Sequence, residues 1–80
     1  MTSLDAITSV VAEQLATLRR ERGWSLDDLA ARADLHRTSL GLIERGKRGM
    51  TLGTAYRLAT ALEVSLADVL RRAEEELGRQ

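Results

Sequence analysis

The sequence predicts an all-α fold, a compact bundle of five short helices, and three observations predict it. Aliphatic residues and Ala dominate an 80-residue chain that has no Pro and only Trp24 and Tyr56 as aromatics, a composition that favours helix over sheet. Apolar residues recur at three- and four-residue steps in five separate windows. Each window opens on a residue suited to capping a helix or closes on one suited to ending it.

In the first window Leu4, Ile7, Val11, Leu15 and Leu18 share one helical face. Thr2 and Asp5 have the spacing of a capping box, and Gly23 suits a left-handed helix end. The second window opens at Ser25, three residues before Asp28, the same reciprocal capping pattern, and its inward face is Leu26, Leu29, Ala30 and Ala33. Asp34 and Leu35 allow only an abrupt turn. A third helix follows from about His36 to Arg45, with Leu40 and Ile43 inward, and Gly46 stops it. After the basic loop Lys47-Arg48-Gly49, Thr51 caps a fourth helix that buries Leu52, Ala55, Leu58, Ala59 and Leu62, with Tyr56 at the core edge. Glu63 and Val64 make the next turn. Ser65 and Asp68 are spaced as another capping box, and the fifth helix carries the stripe Leu66, Val69, Leu70, Ala73 and Leu77 before Gly78.

Several function classes are disfavoured at once. There is no Cys, and His36 is the only His, so the sequence predicts no metal site and no cofactor. The longest apolar runs are a few residues, against the roughly 20 needed to span a bilayer, so no membrane association is expected. Asp5 and Glu13 precede any basic residue, unlike the positive start of a secretory signal, which points to a cytoplasmic protein. Asp34, His36 and Ser39 have the residue types of a hydrolase triad, but they lie within six residues at a helix start, where they cannot surround a substrate. Capping accounts for them better, and no enzymatic activity and no small-molecule ligand are expected.

Net charge is zero, yet its distribution is uneven. Residues 1–18 carry two acids and no base. Residues 19–48 carry eight bases (Arg19, Arg20, Arg22, Arg32, Arg37, Arg45, Lys47, Arg48) against five acids (Glu21, Asp27, Asp28, Asp34, Glu44), a balance of +3. Positive potential is therefore concentrated where it can face a polyanion. In the same region two short helices, 25–33 and 36–45, are joined by a tight turn and followed by a basic loop. A helix held clear of the body in this way fits the major groove of B-DNA, about 12 Å wide.

The residues here resemble a known family. Arg-x-x-x-Gly-Trp-Ser-x-x-x-Leu-Ala from Arg19 to Ala30, Ile43-Glu44-Arg45-Gly46-Lys47-Arg48, and Leu58-Ala59-x-Ala-Leu62 are similar to the Cro/C1-type (XRE) helix-turn-helix family, whose fold is lambda-repressor-like. Within it, Leu35-His36-Arg37-Thr38, Ile43-Glu44-Arg45-Gly46 and Thr51-Leu52 resemble the controller proteins of restriction–modification systems. Ser39 stands where many of those proteins have an aromatic, and Gly41-Leu42 where a small polar residue and Gly are usual. The resemblance implies a nucleoid-associated transcription regulator that binds double-stranded DNA as a homodimer at a palindromic operator. It also implies that Arg19 and Glu44 form a partly buried structural ion pair between the first and third helices.

In that geometry Arg37, Thr38 and Ser39 lie on the first turn of the recognition helix and contact bases, with Leu42 placed to touch a thymine methyl. Arg37 suits two hydrogen bonds to guanine; its alternative is an ion pair with Asp34. Phosphate contacts fall to Arg45, Lys47, Arg48, Thr51 and the start of the second helix near Ser25 and Leu26. Gly41, inside a helix, implies close approach to DNA or to the second helix. Trp24 is expected to pack behind the second helix. Residues 1–80 then form one DNA-binding domain whose fifth helix dimerises through Leu66, Val69, Leu70, Ala73 and Leu77, a stripe wider than one neighbouring helix covers; the alternative is that the stripe completes the monomer core, with Leu66 and Val69 against the fourth helix. The alternative function is a protein-interaction module on the same fold, antitoxin-like or an adaptor, with weak DNA binding, which overall neutrality and Gly41-Leu42 favour.

Overall fold

The structure is a computed structural model describing residues 3–79, with side chains from residue 6 onward. The chain forms α1 (Ser3–Glu21), α2 (Leu26–Ala33), α3 (Arg37–Glu44), α4 (Leu52–Ala61) and α5 (Leu66–Gly78), with no strand among the described residues. This is the all-α bundle that the periodicity predicts. The Thr2–Asp5 box and the Leu4 side chain lie outside the described residues.

The joints share one construction. Gly23, Asp34, Gly46 and Glu63 each adopt left-handed φ, between 56° and 72°, just past the ends of α1 to α4. In each case the next residue's N–H donates five residues back: Trp24 to Arg19, Leu35 to Ala30, Lys47 to Leu42 and Val64 to Ala59. This bond caps a carbonyl that helix termination would strand, and three of the four donors are apolar residues that turn back onto the core. Glycine makes the left-handed turn easy at two joints. Asp34 and Glu63 adopt it despite a Cβ, and Arg22 holds the Glu63 joint by donating to the Leu62 carbonyl and pairing with the Glu63 carboxylate at 3.7 Å. At the starts, Ser25, Thr51 and Ser65 each accept from the N–H three residues on. Ser25 and Asp28 complete a reciprocal box. Ser65 caps α5, while the Asp68 carboxylate expected to reciprocate accepts instead from Arg71 at 3.4 Å.

One core joins the helices: Val11 and Leu15, Leu29, Ala30 and Ala33, Leu40, Leu58, Ala59 and Leu62, and Val69 and Ala73. Through it α1 packs on α3 and α5, α2 on α3 and α4, and α4 on α5. Among the described residues every fully buried side chain is apolar. Trp24 packs against this core as expected, and the guanidiniums of Arg32 and Arg22 lie 4.1 and 5.2 Å from its ring centre.

Three expectations need correction. Leu52, assigned to the core, is 71% exposed, and Tyr56, assigned to the core edge, is 61% exposed. At 3.6 residues per turn Leu52 lies roughly 70° from the centre of the arc formed by Ala55, Leu58, Ala59 and Leu62, and Tyr56 lies further round. Val69 and Ala73, assigned to a partner-facing stripe, are 4% and 0% exposed within the protomer, because α5 rests against both α1 and α4. They are unavailable to a second copy.

A bidentate ion pair joins α1 to α3. Arg19 Nε and Nη2 donate to the two Glu44 carboxylate oxygens at 2.7 and 2.9 Å, and Arg19 Nη1 donates to the Trp24 carbonyl at 2.7 Å. Both side chains are largely covered, at 13% and 12% exposure. The hydrogen bonds that Arg19 donates to Glu44 raise its pKa above the ordinary value against the opposing effect of burial. Breaking such a pair strands a charge. Glu44→Ala is expected to cost about 3 kcal/mol and lower Tm by roughly 10–20 °C. An Arg19→Met/Glu44→Leu double variant is expected to recover most of that loss, as a double-mutant cycle on Tm will show.

Gly41 is buried inside α3. A Cβ there would meet Leu26 Cδ1 of α2 at 3.8 Å, an ordinary contact, and Arg45 Nη1 at 3.3 Å. Arg45 is exposed, so its guanidinium can swing aside. Gly41→Ala is therefore expected to stabilise the fold by up to about 1 kcal/mol, a few degrees in Tm. A fall in Tm would mean that Arg45 cannot move.

Candidate nucleic-acid interface

The α2–turn–α3 unit is set by the joints at its ends. The Ser25–Asp28 box fixes the start of α2, where the Ser25 backbone N–H and then its hydroxyl hold the Asp28 carboxyl below the ordinary carboxylate range. Asp34 ends α2 in the left-handed conformation, and His36 occupies the N-cap of α3 with extended backbone and no side-chain cap bond. Leu40, Gly41 and Ile43 face the body, so Arg37 and Thr38 stand exposed on the first turn of α3, with Ser39 half-exposed beside them. Leu42 is partly covered, leaving only part of it for an outside contact.

Arg37 pairs with Asp27 of α2, Nε to carboxylate oxygen at 3.2 Å, rather than with Asp34. Arg48 donates to the Ser39 hydroxyl at 2.9 Å, which ties the basic loop to the exposed edge of α3. Arg45 caps the end of α3 and lies over Gly41. Lys47 is exposed, its backbone N–H spent on the Leu42 carbonyl. These four bases therefore flank α3 at both ends. Glu44 is engaged with Arg19 and Asp28 with the cap of α2, while Asp27 pairs with Arg37 itself, so Arg45, Lys47 and Arg48 form the positive edge.

The other sequence-derived contacts divide. The Ser25 N–H donates to Asp28, so of Ser25 and Leu26 the latter remains the backbone candidate for phosphate. The Thr51 hydroxyl accepts from the Thr54 N–H and donates to the Thr54 hydroxyl, which commits it to capping α4. Asp34, His36 and Ser39 make no relay: they serve as a helix end, a helix start and an acceptor for Arg48. Among the described residues no cluster of His, Cys, Asp or Glu is placed to hold a metal, and no helix is long and apolar enough to cross a membrane.

A second surface lies between α4 and α5. Exposed Leu52 and Tyr56 line an apolar groove with Gly53, Leu66, Ala67 and Leu70. Sequence reasoning found Leu66 and Leu70 but missed Leu52 and Tyr56 as surface residues. Their spacing of four, displaced from the core arc, was the available signal. Asp27 was missed as well, because partners on different helices leave no periodic trace.

Comparison with known proteins agrees with this geometry. The HTH_3 family model, described as helix-turn-helix, matches residues 15–69. The uncharacterized HTH-type transcriptional regulator y4dJ of Sinorhizobium fredii is 36% identical over 66 residues, covering 82% of this chain and 86% of that protein. Control protein C.SmaI of Serratia marcescens is 38% identical over 66 residues, covering 82% and 79%. Among solved structures, the restriction-modification controller protein C.Esp1396I, crystallised as a tetramer in complex with its natural 35 base-pair operator, superposes with a TM-score of 0.76 at 29% identity, covering 95% of this chain and 96% of that one. With the two-helix unit, its joints and the family match in agreement, the chain belongs to the helix-turn-helix family, and its likeness within it is to the restriction–modification controller proteins.

Proposed function

We propose that this chain is a DNA-binding transcription regulator, not an enzyme, whose residues 1–80 act as one domain and bind a two-fold operator as a homodimer in the cytoplasm. One observation carries the reading: α3 presents an exposed polar first turn, Arg37 and Thr38, with Arg45, Lys47 and Arg48 beyond its far end. A helix offered in this way enters the major groove, where Arg37 donates to guanine O6 and N7, Thr38, Ser39 and Leu42 meet neighbouring bases, and the loop cations and the Leu26 amide meet phosphates. The operator complex of the similar controller C.Esp1396I supports this reading.

A single α3 reads only a few base pairs, whereas two copies on a two-fold axis read half-sites about 34 Å apart. The α4–α5 groove is the surface that fits a second copy. It gathers the two large apolar side chains that are exposed among the described residues, Leu52 and Tyr56, beside partly exposed Leu66 and Leu70, and an isologous contact uses each twice. Leu77 is partly exposed near the end of α5 and extends the same helix.

Selection of bound duplexes from a random pool, followed by affinity measurements across a salt series, tests the DNA reading. Affinity is expected to fall steeply with salt. Lys47→Ala is expected to weaken selected and scrambled duplexes alike and to make the slope of log K against log salt shallower by about one. Arg37→Ala is expected to lower the ratio of selected to scrambled binding by roughly 5- to 100-fold. Salt-insensitive, weak binding with no selected sequence would favour the protein-interaction module.

Sedimentation tests the dimer. The parent is expected at twice its chain mass at micromolar concentration, and Leu70→Asp as a folded monomer that has lost tight operator binding. A monomeric parent that binds selected DNA with undiminished affinity would remove the α4–α5 interface.

A further inference from the structure

We propose that Asp27 is a specificity-determining residue of the DNA interface: it braces Arg37 so that only the terminal edge of the guanidinium is offered to a base. The inference rests on the reading of α3 as the recognition helix. It goes beyond that reading by giving a task to an acid on the neighbouring helix.

The observation is an inter-helix pair. The Asp27 carboxylate, on the first turn of α2, lies 3.2 Å from Arg37 Nε on the first turn of α3. The exposed pair, at 74% and 63%, adds little to fold stability, because solvent screens it and two side chains must be ordered. An acid beside a surface meant for a polyanion is also unfavourable for affinity. The geometry accounts for its presence in another way.

Guanidinium carries five N–H donors in a fixed plane. With Nε held against the carboxylate at 3.2 Å, Nη1 and Nη2 remain as the two parallel donors that guanine O6 and N7 accept. The brace removes rotamer freedom from a long side chain before DNA arrives. On docking, water leaves the pair, and its electrostatic attraction strengthens at the moment it sets the angle of the fork. The start of α2 suits a carboxylate here, since the helix dipole favours negative charge in the first turn. The other exposed acid on that turn, Asp28, is taken by Ser25.

Two opposed effects follow from removing the charge. Binding to any duplex should tighten, because a negative group leaves the interface. Discrimination should fall, because Arg37 is freed to reach phosphates and other bases. A purely structural role would produce neither.

The experiment uses the full chain as parent, Asp27→Asn, Asp27→Glu, Arg37→Ala and Asp27→Asn/Arg37→Ala. The probes are a duplex recovered by the parent from a random pool, the same duplex with each half-site guanine replaced in turn, and a scrambled duplex, with Tm recorded for every variant. The expected result is a drop of about three- to tenfold in the selected-to-scrambled ratio for Asp27→Asn, confined to the guanine that Arg37 reads, together with tighter scrambled binding. Asp27→Glu should restore part of the ratio, and Asp27→Asn should have no further effect on the ratio once Arg37 is Ala. An unchanged or increased ratio for Asp27→Asn, while Arg37→Ala loses it, would overturn the brace and leave the recognition helix standing. A ratio unaffected by Arg37→Ala would instead overturn the assignment of Arg37, and the brace with it.

Discussion

Each nitrogen of the Arg19 guanidinium donates to one of two neighbours, two to the Glu44 carboxylate and one to the Trp24 carbonyl, and the orientation of the exposed helix depends on that arrangement. α3 is only eight residues long, too short to be stable alone, and its buried side is narrow: Leu40, Gly41 and Ile43. Glu44 is its last residue, so the pair anchors the far end of α3 to α1, while the α2–α3 turn sets the near end. The Trp24 carbonyl brings the α1–α2 joint into the same contact. A partly buried ion pair adds little net stability compared with apolar packing, yet it accepts one geometry, and geometry is what a base-reading helix requires.

The remaining architecture uses the same economy. A core rich in Ala at the helix contacts, Ala30, Ala33, Ala59 and Ala73, lets short helices approach closely without long side chains to order. Four repeated left-handed joints then turn the chain sharply with their carbonyls capped. Such joints let 80 residues hold five helices and still leave one side of α3 uncovered. Arg45, Lys47 and Arg48 cluster after α3 while Glu44 is turned to Arg19 and Asp28 to the cap of α2, so a neutral protein can present a positive edge.

Much of this was legible in the sequence, for a physical reason. Helix periodicity, the Ser25–Asp28 box, and the glycine ends at Gly23 and Gly46 depend on residues within one or two turns of each other, so contiguous sequence contains all the partners. The polar first turn of α3 and the basic loop are local in the same sense. The Arg19–Glu44 pair spans 25 residues and was legible through the family pattern, not through spacing.

Tertiary structure decided what depends on how helices cross. α5 settles against α1 and α4 deeply enough to cover Val69 and Ala73, while α4 leaves Leu52 and Tyr56 outside, and no helical wheel shows which flank of an apolar arc a neighbour will reach. Whether Arg37 meets Asp34 or Asp27 is set by the direction in which the turn returns α3 across α2. Asp34 and Glu63 take left-handed joints without glycine; Asp is among the few residues that tolerate that conformation, and Arg22 pairs with Glu63 across the joint. The sequence by itself determined which segments are helices and which residues begin and end them, since those interactions close within a few residues. The fold decided which side chains remain outside and which charges meet, since those depend on distances that exist only once the helices have packed.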